Sequence, residues 1–246
     1  MTTEEPRKSA DIVSLSGNPI HRHGEPNAWA PPQGEEFIEE ISAHIEKHLG
    51  PVESVFHEIL SDTVHIDVHI VRPTPDFPFI RLVSSGMSDL PMSVPDEIDA
   101  PRYAELMMTL PAVWRLDQAS LEDEAWYWPV RLIKTLARLP HKYATWLGFG
   151  HTVPNGDPAE PYAANTGLCG AIVLPSVTVP AEFHTLDIPG IKQVTFYSVV
   201  PLHQKEMELK LRLGTDKLLD RFDRKGLNDI VDVKRADVTT KRFGFW

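Results

Sequence analysis

HIDVHIVRPTPDFPFIRLVSSGMSDLPM, residues 65–92, reads as two strands around a proline-marked turn, closed by the phrase Gly86-Met87-Ser88-Asp89-Leu90-Pro91-Met92. Val64, Ile66, Val68 and Ile70 alternate with His65, Asp67 and His69, the period-two pattern of a strand with one apolar face. Pro73 and Pro75 punctuate the turn. Residues 79–84 supply the second strand. Gly86 permits a positive φ and Asp89 can hydrogen-bond nearby backbone, so residues 87–89 shape a sharp turn after that strand.

Outward from this pair, Phe37, Ile38, Ile41, Ile45 and Leu49 form one helical stripe stopped by Gly50-Pro51. Alternation over residues 52–60 predicts a strand beside the 64–70 strand, and residues 103–110 predict another. A helix follows within residues 122–139, with Pro129 placed to open it and Pro140 to end it. Short apolar runs at 141–149, 170–174 and 193–200 read as strands, separated by a Pro-, Gly- and Asn-rich loop over 154–167. Residues 202–213 and 216–222 have helical spacing, broken at Gly214-Thr215 with Thr215 as the cap. Residues 229–233 read as a last strand. The order lacks regular strand–helix alternation, so the expected fold is α+β, a single domain with a mixed, mostly antiparallel central sheet flanked by helices. Residues 1–34 read as an irregular, partly mobile leader, 35–237 as the domain, and 238–246 as a tail.

With 246 residues and 42% hydrophobic side chains, the chain can bury a large core and fold alone. It has no apolar run of the roughly 18 residues a membrane helix needs, and its first residues lack a secretory apolar segment, so a cytoplasmic protein is expected. The single cysteine, Cys169, excludes an internal disulfide and a cysteine zinc cage, and its glycine-flanked apolar setting reads as buried. The net charge of −11 is uneven: residues 1–125 carry 23 acids and 8 bases, and the rest carries 12 and 16. An acidic front half repels nucleic acid, and it either steers a basic protein partner or simply keeps the chain soluble.

No catalytic motif appears, and no cofactor is implied. Residues 84–88 lack the Gly-x-Ser-x-Gly elbow, and no glycine pattern forms a nucleotide-binding loop. His65, Asp67 and His69 share one strand face and make an alternative metal site. Adjacent same-face residues stand roughly 6.5–7 Å apart, so they ligate one ion only if they lean together; otherwise they are a solvated polar face. His44 and His48 have the four-residue spacing of metal helices but lack the glutamate of the zinc-protease motif, and read as surface residues. His21 and His23 fall in the leader. Trp126, Tyr127, Trp128 and Trp146 are either an exposed hot spot or, for most of them, core. Lys234, Arg235, Lys241 and Arg242 read as a solvated edge.

Four blocks together resemble the suppressor of fused domain family, in particular its compact bacterial members. They are the strand pair with Pro73-Thr74-Pro75, the phrase from Gly86 to Met92, the segment from Ala104-Glu105-Leu106 to Leu110-Pro111 with Trp114, and Val194-Thr195-Phe196-Tyr197 leading to Pro201-Leu202 and Glu206. The resemblance implies an α+β domain that works by binding protein, without catalysis. Larger animal members hold Gli-type transcription factors inactive in Hedgehog signalling by gripping a peptide between two domains, and this chain is about one domain long. Bacterial members are associated with polymorphic toxin systems, where they resemble immunity proteins. The expected partner is therefore a protein, a basic toxin above all, met by surface occlusion or strand addition, with Asp89, Glu105, Trp126 and Trp128 as partner-binding candidates. The competing expectation is a metal-dependent enzyme built on His65, Asp67 and His69.

Overall fold

In the computed structural model, residues 12–58 and 63–240 are described. The chain begins with a short antiparallel pair, β1 (Ile12–Val13) and β2 (Pro19–Ile20), and continues through α1 (Ile38–Leu49), β3 (Val52–Phe56), β4 (Asp67–Val71), β5 (Phe79–Ser85) and β6 (Ala104–Pro111). Then come α2 (Glu124–Lys142), β7 (Thr152–Pro154), β8 (Gly170–Leu174), β9 (Thr185–Ile188), β10 (Lys192–Leu202), α3 (Gln204–Leu213) and α4 (Thr215–Lys225). The main sheet runs β3-β4-β5-β6-β10-β8-β7, with β9 pairing the first half of β10. Every pairing of named strands is antiparallel except β6 with β10, so the sheet is mixed and mostly antiparallel as expected.

Both faces of the sheet are covered. Val68, Ile70, Leu82, Leu106, Met108 and Val199 pack with Trp128, Ile133 and Leu136 of α2. Val71, Val83, Met107 and Phe196 pack with Ile41, Ile45 and Leu49 of α1 and with Phe183. A smaller cluster joins α3 and α4 to Ile172, Val200 and Leu202. Double coverage explains why β4, β8 and most of β5, β6 and β10 are buried at consecutive positions. It also corrects the solvated-face reading of β4. Asp67 and His69 are both buried, and His69 pairs with Ser42 Oγ of α1 at 3.3 Å and with Ser85 Oγ at 2.9 Å.

Several local expectations change. Pro129 and Pro140 both lie inside α2, which starts at Glu124 because the Asp123 side chain accepts from Ala125 N. Residues 143–150 are turn and coil rather than strand, because α2 continues to Lys142. Gly214, not Thr215, precedes the first turn of α4, and the 229–233 strand shrinks to one parallel bridge, Ile230 to Thr109. The 52–60 strand ends at Phe56, and part of that reading lies outside the described residues. His44 is buried and donates from Nε2 to Phe183 O at 3.0 Å. Cys169 is buried, and its surroundings raise the thiol pKa.

The leader is docked along its described length. Ser16 N donates to Leu211 O, Asn27 to the carbonyls of His141 and Lys142, and Gln33 N to Thr63 O. His21 meets Trp146 edge-on at 4.9 Å and His23 stacks on Tyr143 at 5.0 Å. At the other end Arg235 is no solvated edge. It is 8% exposed in its side chain and binds the fully buried Glu206 with both Nη atoms, at 2.6 and 2.5 Å. Glu206 also accepts from His203 N and Val238 N, which ties the C-terminal segment to α3. Lys241 and Arg242 lie outside the described residues.

Candidate functional site

The phrase after β5 builds the candidate site. Gly86 adopts φ 102°, and Met87–Asp89 form one 3-10 turn. A Cβ on Gly86 would stand 1.8 Å from His65 O, so the turn needs glycine for its conformation and for the approach of the preceding chain. The turn is gripped from several elements. His141 of α2 donates from Nε2 to Met87 O at 2.8 Å, and Lys192 of β10 donates to Ser88 O at 2.6 Å. Gly34 of the leader lies so close that a Cβ there would stand 2.4 Å from Asp89 O.

Glu105 is the anchor beneath. Named from the sequence as a partner-binding candidate, it is fully buried instead, because the face opposite Leu106 and Met108 is covered too. Ser88 donates to Oε1 from its amide at 2.9 Å and its hydroxyl at 2.7 Å, and Ser84 Oγ donates to Oε2 at 2.5 Å. Burial raises the Glu105 pKa against those donors, which favour the carboxylate. Asp89 follows on the same turn. Burial, then the charge of Glu105, raises its carboxyl to about 7, while Lys192 opposes the shift. The Lys192 ammonium lies 3.9 Å from the centre of the Phe37 ring and 5.2 Å from that of Tyr103, and burial lowers its pKa.

Gly86 and Asp89 of this turn border a cleft of about 270 Å³, also lined by residues from the start of α1, just past β3, the approach to β4 and the end of β5. Glu36, Asp67 and Asp89 give it three carboxylates, and His57 and His65 share the lining. Asp67, 4% exposed in its side chain, takes His57 Nδ1 on Oδ2 at 2.8 Å and His65 Nε2 on Oδ1 at 3.0 Å. The anticipated triad therefore divides. His65 and Asp67 converge, His69 goes to Ser42 and Ser85, and burial lowers the His69 pKa to about 4. His57 takes the vacated role. The 56-to-68 pairing of the β3–β4 hairpin carries on one residue to set it opposite Asp67, a signal that pattern reading without register misses.

The aromatic candidates lie elsewhere. Trp128 is fully buried, stacked on Tyr162 at 5.0 Å and edge-on to Trp114 at 6.0 Å, so it is core. Trp126 is half-buried against the same core, with Arg115 above its ring and its carbonyl accepting from Trp114 Nε1. The structure thus joins Asp89 to Glu105 and leaves both tryptophans in the α2 cluster. A larger cavity of about 790 Å³ lies between the β1–β2 hairpin and α3, with apolar Val13, Leu15, Ile20 and Leu211 and scattered Lys205, Glu208 and Arg212. It gathers no converging polar set. Among the described residues, no helix is long and apolar enough to cross a membrane.

Comparison with known proteins fits this architecture. Solved structures similar to the chain include a suppressor of fused homologue from Neisseria gonorrhoeae FA 1090, at 17% identity and TM-score 0.57, covering 82% of this chain and 97% of that one. A Sufu-Fu complex matches at 14% identity and TM-score 0.57, over 84% and 93% of the two chains. Drosophila Suppressor of Fused matches at 16% identity and TM-score 0.55 over 86% of this chain but 52% of its own, so this chain spans about half of it. No curated protein sequence matches. These identities establish the fold alone. The family profile described as Suppressor of fused protein (SUFU) matches residues 62–236, from just before β4 to just past Arg235, and takes in Gly86, Glu105, Lys192 and Glu206. The chain belongs to the suppressor of fused family.

Proposed function

We propose that this chain is a non-catalytic protein-binding domain whose recognition site is the acidic cleft beside the Gly86–Asp89 turn. The carrying observation is the set of three carboxylates, Glu36, Asp67 and Asp89, around a cleft of about 270 Å³ bordered by the turn that buried Glu105 holds through Ser88. The cleft accepts a lysine or arginine side chain, and the −15 charge of residues 1–125 steers a basic partner towards it. A Sufu-Fu complex among the similar folds supports a protein as the partner. The finer reading, supported by the resemblance to bacterial immunity proteins, is a cytoplasmic inhibitor that occludes a basic toxin.

The test uses purified protein as bait in lysate of the native cell, washed at low and then high salt, with bound proteins identified by mass spectrometry. The reading expects one stoichiometric basic partner, released by salt, absent from a Glu36→Lys/Asp89→Lys bait, and toxic unless co-expressed with this chain. A partner retained equally by the reversed-charge bait removes the cleft from recognition. A captured partner that is harmless when expressed alone removes the toxin.

A further inference from the structure

We propose that His57, His65 and Asp67 form a binding site for one divalent transition-metal ion of the zinc class. Two imidazoles and a carboxylate are a donor set that suits zinc, whose catalytic and accessory sites take three protein ligands and leave a fourth position open. The ligand atoms of the three residues lie within 4.8 Å of one another, the only such His/Cys/Asp/Glu group among the described residues. Each imidazole already addresses a different oxygen of one carboxylate, at 2.8 and 3.0 Å. Small rotations about the side-chain bonds bring the same atoms to the roughly 2.0–2.2 Å at which zinc holds nitrogen and oxygen ligands.

Placement favours the ion as well. His57 directly follows β3, His65 precedes β4 by two residues, and Asp67 opens β4, so the facing ends of two adjacent antiparallel strands carry the set. Glu58 N donates to Asp67 Oδ1 at 3.0 Å, an outer contact that fixes the carboxylate. The nearly buried Asp67 is already desolvated, while His57 and His65 keep 66% and 33% of their side chains exposed. An ion therefore enters from the cleft, and its open position faces the cavity lined by Glu36 and Asp89. Those two carboxylates lower the energy of a dication there. The site shares Asp67 and its cleft with the proposed recognition surface, and its own argument needs no partner.

The test takes the full chain without an affinity tag, strips it with a chelator, and titrates it with zinc chloride by calorimetry and with cobalt chloride by visible absorption. One zinc per chain is expected, with the d–d bands of four- or five-coordinate cobalt. His57→Ala, His65→Ala and Asp67→Asn each weaken zinc binding at least as much as the roughly 10–100-fold lost with an outer-sphere partner. His48→Ala leaves it unchanged. Melting curves of the metal-free variants verify folding, and the exposed His57 gives one variant that leaves the core intact. Absence of zinc binding, or equal affinity in the folded His57→Ala and His65→Ala proteins, overturns the site. Partner capture in the presence of chelator is read separately, so either result stands alone.

Discussion

Replacing Gly86 by alanine tests the argument that the turn exists because of one contact. The new methyl carbon would fall 1.8 Å from His65 O, a backbone atom at the entrance to β4 that cannot rotate away. It would also sit on a backbone with φ 102°. The conformational penalty for a residue with a Cβ is roughly 1–2 kcal/mol. Forcing the two backbones apart adds the roughly 1–3 kcal/mol of overpacking. The sum is a loss of about 2–5 kcal/mol, which for a chain of this size corresponds to roughly 5–20 °C in melting temperature. Gly190→Ala is the control, since Gly190 has φ 75° but open space around the added carbon. It bears the conformational penalty alone. Urea unfolding of both variants, compared at equal slope, isolates the contact. If Gly86→Ala and Gly190→Ala lie within about 0.5 kcal/mol of each other, the close approach to His65 O is not what selects glycine, and the reasoning fails.

The other expectations concern buried charge and packing. Arg235→Ala strands the fully buried Glu206 and costs about 3–5 kcal/mol in urea unfolding, whereas a paired Arg235→Met/Glu206→Gln change recovers much of it; a loss under about 1 kcal/mol would show that the pair is dispensable. Trp128→Ala costs about 3–5 kcal/mol by opening a cavity against Tyr162 and Trp114, with unaltered partner capture if the protein is assayed while folded. Glu105→Ala removes the common acceptor of Ser84 and Ser88, leaves their donors buried, and costs about 2–4 kcal/mol with a loosened cleft, read as faster amide exchange at Ser88.

The sheet was legible where patterning is strong. The strands at 64–70, 79–84, 103–110 and 193–200 all exist within a few residues, because alternating or continuous β-branched runs bounded by proline and glycine have few other ways to bury themselves. The Gly86 turn was legible for the same local reason. What escaped depends on contacts distant in sequence. Glu105 stood as a partner-binding candidate although it is buried, because a strand pattern tells one face from the other but not whether a helix covers the second face. Asp123 capped α2 ahead of Pro129 because a side-chain acceptor together with a core-facing Trp128 outweighs the preference of proline for the first turn. His57 needed the hairpin register, and Lys192, 104 residues from Ser88, needed the whole topology.

The Asp89 carboxyl carries a pH signature that separates the turn from the rest of the molecule. Its pKa is raised from 3.8 to about 7, chiefly by burial and then by Glu105. Between those values the folded chain holds a proton that the unfolded chain has released, so this contribution is fully present below about pH 4 and is lost as pH rises to 7. Three units amount to at most about 4 kcal/mol, less where solvent reaches the cleft. His69 and His151 act in the opposite sense. Both are lowered to about 4 by burial, so their contribution is present above about 6.5 and disappears as pH falls towards 4. The opposing slopes partly cancel below pH 6.5, and from there to pH 7 Asp89 alone declines among the three. Asp89→Asn removes the declining branch and leaves the histidine branch. The difference in melting temperature between the native chain and that variant should move in favour of the variant steadily from pH 4 to 7 and then level off. A difference that stays flat over that range would mean that Asp89 titrates as an ordinary solvated carboxylate, and the cleft would then present full negative charge to a cationic partner throughout.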